Sequence, residues 1–290
     1  MGVINFGSLN IDYTYRVDGF VQPGETKAVQ AMSVNCGGKG LNQSVALARA
    51  GVNVYHAGFV GTQGIFLVEK LGTCGVDTRW VRTVEESSGH AVIQVTDEGQ
   101  NCILVYTGTN GIFTEDYVDQ VLDAFGPEDL VLVQNETNLV GSIIRKAKSR
   151  GMRVAFNAAP VDGQVTQYPL DLVDWLFVNE TEGAAISGEQ EYSAITQALR
   201  RRLPHTAVVL TVGADGSIYA GPEGTFAVPA RQVSAVDTTA AGDTFTGFFL
   251  RGILAGEGPE AALELATAAS AITVTRPGAA DSIPELAEVL

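Results

Sequence analysis

Histidine, cysteine and basic residues are scarce in this chain. It has three His and three Cys in 290 residues, and 18 Lys and Arg against 33 Asp and Glu, which gives a formal net charge of −15. A surface of this sign repels a phosphate backbone, and no Lys/Arg cluster offsets it, so nucleic acid is not an expected partner. The odd number and wide spacing of Cys36, Cys74 and Cys102 argue against a disulfide scaffold and for a reducing compartment.

Long apolar runs and targeting segments are also absent. No hydrophobic stretch approaches a membrane span, and the start, MGVINFGSLN, lacks both a basic n-region and a myristoylation pattern. We therefore expect a cytoplasmic protein with no membrane partner. The P-loop, the dinucleotide fingerprint after the first strand, the zincin H-E-x-x-H and the hydrolase G-x-S-x-G are missing as well. His56, His90 and His205 are scattered and are expected to be surface or packing residues.

Short β-branched runs alternate with longer amphipathic runs. The strand-like runs are 3–7, 53–59, 130–134, 153–157, 175–179 and 207–213. The helix-like segments include 40–51, 115–126, 138–151 and 193–203. This alternation predicts an α/β fold with a mostly parallel sheet flanked by helices. Ligands of such folds bind at the carboxyl ends of the strands.

Two segments interrupt this alternation. Residues 11–34 and 88–106 alternate apolar and polar side chains at period two, and each contains a turn, QPGE or TDEGQ. Each is therefore predicted to be a β-hairpin. Periodicity alone leaves two arrangements open: the hairpins extend the central sheet, or they form a small separate sheet that covers the strand ends as a lid.

The stretch AVDTTAAGDTFTG (235–247) joins a predicted strand end at 232–236 to a predicted helix at 243–256. The small residues 240–242 leave room for an anion to reach the N–H groups of a helix N-terminus. Asp243, kept ionised by the helix dipole, could accept a proton from an attacking hydroxyl. Taken alone, the pattern favours the simpler interpretation that Asp243 caps the helix.

Other junctions carry similar residues. CGGKGLNQSVALARAG (36–51) again leads from a strand into a helix, and Asn42 offers an amide that both donates and accepts. Together with GSLNID (7–12), it suits a polyhydroxyl ligand. NETEG (179–183) fits either a site for hydrated magnesium or an ordinary acidic helix start. TVGADG (211–216) fits either a turn packed against a nucleotide or a plain hairpin.

Together these segments resemble the ribokinase family of carbohydrate kinases, also called the PfkB family. GGKGLNQSVALARAG is similar to its first signature and DTTAAGDTFTG to its second, GGKGxNQ points to the ribokinase branch, and the similarity runs from GSLNID to TRPGAADSIP. The resemblance implies a single Rossmann-like domain over 1–290, with the hairpins as a β-sheet lid that often pairs with a second copy. It implies ATP-dependent phosphorylation of a small sugar, with D-ribose at its 5-hydroxyl as the best guess, Mg²⁺ as cofactor and K⁺ as activator.

Carried over by position, the resemblance also assigns residues. The catalytic positions are Asp243, as the base, and the N–H groups of Ala240, Ala241, Gly242 and Asp243, as an anion hole. The sugar-binding positions are Asn10, Asp12, Gly38, Lys39, Gly40, Asn42, Ala91, Ile103, Glu136 and Asp243. The nucleotide-binding positions are Asn179, Thr211, Val212, Gly213, Ala214, Asp215, Gly216, Gly242 and Thr267. The metal positions are Asn179 and Glu182 for magnesium, through water, and Asp237, Thr239, Thr273, Arg276, Gly278 and Ser282 for a monovalent cation.

Three departures from the family pattern are visible. Ala240 stands where Gly is common, GTQGIF (61–66) replaces an acidic G-D-D-x-x-G pattern near the sugar pocket, and Thr267 stands where Asn or His often lies near the adenine. The alternatives to a ribose kinase are a kinase of deoxyribose, of another sugar or of a nucleoside on the same fold. A catalytically weak, sugar-sensing protein is the alternative from another class.

Overall fold

A nine-stranded sheet runs through the computed structural model, which describes residues 1–290. Its strands are β1 (Val3–Phe6), β4 (Val54–Gly61), β5 (Asp77–Val84), β8 (Leu130–Gln134), β9 (Arg153–Asn157), β10 (Trp175–Asn179), β11 (Ala207–Thr211), β12 (Ser217–Gly221) and β13 (Gly224–Val228). The order across the sheet is β13-β12-β11-β10-β9-β8-β1-β4-β5. All neighbours are parallel except β11, β12 and β13, which pair antiparallel at one edge.

Helices cover both faces of this sheet. They are α1 (Lys39–Arg49), α2 (Ile65–Thr73), α3 (Glu115–Leu122), α4 (Val140–Ser149), α5 (Glu180–Ser187), α6 (Tyr192–Arg202), α7 (Ala241–Leu254), α8 (Pro259–Thr273) and α9 (Leu286–Val289). Strand β8 shows the reason, because Leu130 and Leu132 enter the core under α1, α2, α7 and α8, while Val131 and Val133 enter the core under α3 to α6. Alternation along fully buried strands thus gives two cores.

The two predicted hairpins form a second, separate sheet. Its strands are β2 (Asn10–Arg16), β3 (Ala31–Gly37), β6 (Gly89–Val95) and β7 (Asn101–Tyr106), in the order β3-β2-β6-β7. Each hairpin is antiparallel, and β2 pairs with β6 in parallel. Of the two arrangements that periodicity left open, extension of the central sheet is therefore wrong. The predicted fold class, a mostly parallel sheet flanked by helices with a small additional sheet, is confirmed.

One predicted element is absent. Residues 232–236 were expected to end a strand, but no residue from 229 to 240 lies in a helix or a strand. The N–H groups of Val236 and Asp237 donate to Val274 O, at 2.7 and 3.2 Å, and so do not join a sheet ladder. None of the helices combines the length and the apolar character that crossing a membrane requires.

Candidate active site

Helices α1 and α7 approach closely because residue 247 is Gly. A Cβ atom at Gly247 would lie 2.5 Å from Ala46 Cβ. Asp243 lies one turn before Gly247, and Asn42 and Gln43 lie one turn before Ala46, so their side chains meet across the helix pair. Asn42 Nδ2 donates to Asp243 Oδ2 and Gln43 Nε2 donates to Asp243 Oδ1, both at 2.9 Å.

Asp243 does not cap its helix. The N-cap of α7 is Ala240, which makes no side-chain cap hydrogen bond, and both carboxylate oxygens of Asp243 accept from α1 instead. Only 6% of Asp243 is exposed. The capping interpretation is therefore wrong, and the structure shows a buried carboxylate in the first turn of a helix, where the dipole favours its ionised form.

The loop before α7 presents unpaired backbone donors. The N–H groups of Ala240, Gly242 and Asp243 donate to no protein atom, whereas the N–H of Ala241 donates to Thr238 O at 3.3 Å. A Cβ added at Gly242 would meet nothing within 4 Å, so there is open space beside these donors. Ala240 takes up the left-handed conformation, with φ of 61°, to make this turn. Unpaired N–H groups at a helix N-terminus are suited to an anion.

Glu136, at the end of β8, joins three segments of the site. Its Oε2 accepts from Ser8 Oγ and from the N–H of Lys39, the latter at 2.9 Å. Ser8 Oγ also accepts from the N–H of Gly40 at 3.1 Å. Burial raises the pKa of Glu136 above its ordinary value. The turn after β1, the start of α1 and the end of β8 are thereby held together.

Acidic groups surround the single cation of this region. Burial alone would lower the pKa of Lys39, but the carboxylates of Asp243, Glu136 and Glu182 together raise it. The pKa of Asp12 is raised to about 7 by burial and by the nearby Glu136. The site thus holds one ammonium among four carboxyl groups, and burial raises the pKa of three of them, Asp12, Glu136 and Glu182.

Two asparagines leave polar atoms unused. Asn10 Oδ1 accepts from Asn110 Nδ2 at 2.7 Å, and the NH₂ of Asn10 donates to no protein atom. Asn110 Oδ1 accepts from the N–H of Leu9 at 2.9 Å, which fixes Asn110 in this orientation. Asn42 Oδ1 is buried and has no hydrogen-bond partner. A free donor and a free acceptor are therefore available to a polar ligand.

The small sheet contributes one face to the same region. Asp12 on β2 lies in register with Ala91 on β6, and Ile93, two residues further along β6, pairs with Ile103 on β7. Side chains at these positions share a face of the sheet. Ala91 is buried, whereas 48% of Ile103 is exposed. The predicted sugar-binding positions Asp12 and Ala91 are adjacent, and Ile103 lies further out on the same face.

The segment TVGADG is a hairpin turn between β11 and β12. Val212 N donates to Gly216 O at 2.9 Å, and a Cβ at Gly216 would lie 2.1 Å from Val228 O. Thr267 Oγ1, on α8, lies 3.2 Å from Ser217 Oγ, just after the turn. The structure thus brings Thr267 beside the predicted nucleotide-binding stretch, which ends in an exposed tip at residues 213–215.

Asn179 and Glu182 form a reciprocal capping box at the start of α5. Asn179 Oδ1 accepts from the N–H of Glu182 at 2.8 Å, and Glu182 Oε2 accepts from the N–H of Asn179 at 2.9 Å. Burial raises the pKa of Glu182. No group of three or more His, Cys, Asp or Glu residues could ligate a metal directly. Glu182 Oε1 has no protein partner, which fits an ion that keeps most of its waters.

Asp237 links the loop before α7 to the loop after α8. Its Oδ1 accepts from the N–H and Oγ1 of Thr239, at 2.9 and 2.6 Å, and its Oδ2 accepts from the N–H of Gly278 at 2.9 Å. Burial alone would raise the pKa of Asp237, but these hydrogen bonds lower it. Two of the segments predicted to bind a monovalent cation are therefore adjacent.

The other predicted cation positions lie at the end of α8 and in the segment that follows it. Thr273 O accepts from the N–H of Arg276 at 3.0 Å. The Arg276 guanidinium pairs with Glu288 at 2.6 Å, so its side chain is engaged elsewhere. Ser282 Oγ donates to Ala279 O at 2.7 Å. The backbone carbonyls of this loop, which the resemblance proposes as ligands, remain a prediction.

The segment GTQGIF lies at the base of the small sheet. Ser88, immediately before β6, packs against this segment and accepts a hydrogen bond from it. The N–H of Gly61 donates to Ser88 Oγ at 2.8 Å, and a Cβ at Gly64 would lie 2.3 Å from that oxygen. Thr62 and Gln63 are exposed. The departure from the family pattern is therefore located where the small sheet joins the central one.

Three residues of the site were not predicted: Ser8, Gln43 and Asn110. Ser8 and Gln43 lie inside the quoted segments GSLNID and GGKGLNQ, so the motifs contain a signal for them. Asn110 follows the second hairpin, in a short 3₁₀ helix, and reaches Asn10 across 100 residues of chain. No local pattern indicates that contact.

Comparison with known proteins agrees with this geometry. The model of the pfkB family carbohydrate kinases matches residues 2–286. The chain is 35% identical to the ribokinase of Haemophilus influenzae, over 98% of this chain and 95% of that protein, and 30% identical to a deoxyribokinase of Salmonella typhimurium, over 99% and 96%. The structure of Arabidopsis thaliana ribokinase complexed with ribose and ATP aligns with a TM-score of 0.89 at 29% identity, covering 99% of this chain and 97% of that one. The chain belongs to the pfkB family of carbohydrate kinases.

Proposed function

We propose that this protein transfers the γ-phosphoryl group of ATP to the 5-hydroxyl of D-ribose. The observation that carries the proposal is the placement of Asp243. Its buried carboxylate lies between unpaired N–H groups of the α7 N-terminus, which suit a phosphoryl group, and the unpartnered Asn42 Oδ1, which suits a sugar hydroxyl. A base between an anion site and a hydroxyl site has the arrangement that phosphoryl transfer to an alcohol requires.

In this mechanism Asp243 accepts the proton of the sugar hydroxyl as its oxygen attacks the γ-phosphorus. The N–H groups of Gly242 and Asp243 donate to the oxygens of the transferring group and stabilise the charge that they carry in the transition state. The remaining rate acceleration comes from in-line positioning of the two substrates, because the protein itself forms and breaks no covalent bond with the phosphoryl group. The two amides that hold Asp243 leave further lone pairs on each carboxylate oxygen free to receive the proton.

The sugar is held by complementary donors and acceptors. The NH₂ of Asn10 would donate to one sugar oxygen, and Asn42 Oδ1 and the carboxylates of Asp12 and Glu136 would accept from sugar hydroxyls. The raised pKa of Asp12, about 7, places part of its titration near neutral pH, so sugar affinity should depend on pH there. A site rich in acceptors favours a polyol over an apolar ligand.

Two metal ions would bind near the nucleotide in the active site. Asn179 and Glu182 would hold magnesium through its waters, and the ion would neutralise charge on the ATP phosphates. Potassium would lie among the backbone carbonyls near Asp237 and Gly278, next to the loop that ends in the anion hole. Thr211 to Gly216 and Thr267 would contact the nucleotide.

The small sheet would act as a lid and pair with a second copy. All six residues of β7 are exposed, including Leu104 at 68% and Val105 at 66%. An apolar strand that is open on both faces is a pairing surface. We therefore propose a homodimer through the small sheets. We also propose a cytoplasmic location, because the three cysteines form no disulfide and a reducing compartment keeps thiols free.

Deoxyribose is the second candidate substrate, because a deoxyribokinase is among the relatives and nothing in the site marks the 2-hydroxyl. A nucleoside fits less well, since polar groups surround Asn42 and Glu136 where a base would need apolar ones. A sugar sensor without catalysis is disfavoured, because Asp243 and the unpaired N–H groups of its loop are both retained.

The test is release of ADP across a panel of pentoses, hexoses and nucleosides, with and without potassium, for the natural chain and for Asp243→Asn. D-ribose should give the highest kcat/KM, and Asp243→Asn should lower kcat by roughly 10²- to 10⁴-fold. Activity of Asp243→Asn within a few-fold of the natural chain would refute the general base. Sugar binding without ADP release from any sugar would favour the sensor.

A further inference from the structure

A chain of buried polar side chains continues from Asp243 into the interior. Gln43, which donates to Asp243, accepts at its Oε1 from Gln134 Nε2 at 2.8 Å. Gln134 Nε2 also donates to Asn5 Oδ1 at 2.9 Å, and Gln134 lies at the end of β8. All three of these amides are fully buried. The carboxylate is thus connected, through α1, to the neighbouring strands β8 and β1 of the large sheet.

The chain ends at a histidine. Asn5 Nδ2 donates to Gly40 O and to Ser44 Oγ, both at 2.8 Å. Ser44 Oγ lies 2.8 Å from His56 Nδ1, and His56 Nε2 lies 3.2 Å from Gly7 O. Burial lowers the pKa of His56 to about 4, so the ring is neutral at neutral pH. A neutral ring that donates from Nε2 to a carbonyl must accept at Nδ1, so Ser44 donates to it.

The direction of every hydrogen bond in this series follows from the two groups at its ends, Asp243 and His56. An ionised carboxylate only accepts, so Gln43 must turn its NH₂ towards Asp243 and its carbonyl oxygen towards Gln134. Gln134 must then donate, which turns the Asn5 carbonyl oxygen towards it and the Asn5 NH₂ towards Ser44. A neutral His56 is consistent with the same order. No amide can flip without losing two buried hydrogen bonds.

We propose that Gln43 is a positioning residue for the catalytic base, and that Gln134, Asn5, Ser44 and His56 hold its amide in the donating orientation. Gln43 does not touch the substrate. It fixes the rotation of the Asp243 carboxylate and favours its ionised form, so that the oxygen facing the sugar hydroxyl is ready to accept a proton. This inference rests on the proposed role of Asp243 as the base.

The other charged groups facing Asp243 do not replace this contact. Lys39 from α1, Glu136 from the turn after β8 and Glu182 from α5 act on it through space, and none of them hydrogen-bonds to its carboxylate. Asn42 holds the second oxygen but is itself expected to bind the sugar. Gln43 is therefore the contact of Asp243 that can be removed without removing a predicted sugar ligand.

The test compares Gln43→Met, Gln43→Glu and Val45→Ala with the natural chain. Met keeps the volume of Gln but not its donor, Glu places a second carboxylate against Asp243, and Val45 is a fully buried α1 residue outside the polar chain. For each, kcat and the sugar KM are measured from pH 5.5 to 9. The titration of the Asp243 carboxyl is followed by ¹³C NMR in the absence of substrates and assigned with Asp243→Asn.

Gln43→Met should lower kcat about tenfold with the sugar KM changed less than about threefold, since an interaction made through the base is lost rather than one with the sugar. The acidic limb of its kcat profile and the carboxyl titration should both move to higher pH, because an ionised carboxylate loses a donor. Gln43→Glu should be more impaired than Gln43→Met. Val45→Ala should lower the melting temperature and leave both titrations in place.

Two results would overturn the inference. One is a Gln43→Met protein with the kcat and titration of the natural chain. The other is a Gln43→Met protein that loses no more kcat than Val45→Ala does and whose pH profile matches that of the natural chain. This result would make Gln43 a packing residue only. An inactive natural chain would instead sink the proposed function, and the ¹³C titration would still report whether Gln43 favours the ionised form of Asp243.

Discussion

The two sheets of this protein are stabilised in different ways. Every residue of β1 and β8 in the central sheet is buried, whereas every residue of β7 in the small sheet is exposed and β3 is exposed along most of its length. The central sheet has a core on each face. The small sheet is held mainly by its own ladder and by the turns at its base. The catalytic groups therefore lie at the start of a helix packed against the buried sheet, and the segment expected to cover the substrate lies on the sheet with the least burial.

The largest difference is expected in hydrogen exchange. Amides of β8 should exchange only on global unfolding. Those of β7 should exchange ~10³-fold faster or more, because few buried contacts oppose local opening of this strand. Adding ribose and a non-hydrolysable ATP analogue should slow exchange in β2, β6 and β7 and leave β8 unchanged. Equal protection of β7 and β8 in the free protein would contradict this account.

The next effect concerns the helix pair that carries Asp243. Gly247→Ala places a Cβ 2.5 Å from Ala46 Cβ and should destabilise the protein by about 1–3 kcal/mol. It should also lower kcat, since α1 must move away from Asp243. Gly252→Ala is the matched control, because its Cβ would lie 2.8 Å from Ala262 Cβ on α8, remote from Asp243. Urea unfolding and kcat would be measured for both, and equal losses of kcat would refute the helix-pair explanation.

A smaller effect is expected at Asp12, where the small sheet meets the site. Its pKa of about 7 lies above the unfolded value, so the folded state binds more protons between these values. Stability should therefore fall as the pH rises from about 4 to 7, by roughly 1 kcal/mol after allowance for partial exposure. Asp12→Asn should reduce this slope in urea unfolding at pH 5 and 8, and the raised pKa values of Glu136 and Glu182 should maintain the rest of it. Asp97→Asn, which removes an exposed pair with Arg16, should retain it.

The smallest effect is expected at Ala240. Its φ of 61° costs about 1–2 kcal/mol in a non-glycine residue, and Ala240→Gly would remove this cost. Roughly half of that stabilisation is offset because Gly loses more conformational entropy on folding than Ala does. Ala240→Gly should raise the free energy of unfolding by about 0.5 kcal/mol. Ala255→Gly, at the right-handed end of the same helix, should lower it. Thermal unfolding of both proteins gives the comparison, and a destabilised Ala240→Gly would show that the turn stores no strain.

Burial explains which elements could be predicted from the sequence. The parallel strands are apolar runs with cores on both faces, so composition alone indicates them. The segment 232–236 also contains Val and Ala residues, but it is exposed, with Val236 at 66%, so its apolar residues mark no strand. The edge strands β5 and β13 are partly exposed and less apolar, and they were not predicted; β12, beside β13, was indicated only by the hairpin interpretation of TVGADG.

The site was predictable where its residues belong to one segment. The polar groups of the loop 235–247 and of the start of α1 belong to continuous sequence motifs. These motifs and the family resemblance were therefore enough to predict them. The contacts between segments, such as Gln43 with Gln134 or Asn10 with Asn110, depend on the tertiary packing of residues 91 and 100 positions apart. The reciprocal caps of Asn179 and Glu182 show the converse, a local motif that the sequence predicts without revealing whether a metal is also bound.

Lys39, alone among four carboxyl groups, has a consequence for the approach of the nucleotide. ATP carries several negative charges into a protein whose net charge is −15 and whose site is itself acidic. Long-range electrostatics should therefore oppose the encounter, and dissolved salt should relieve that opposition. The association rate of the nucleotide should rise with ionic strength, the reverse of the trend for proteins that attract phosphate with basic surfaces.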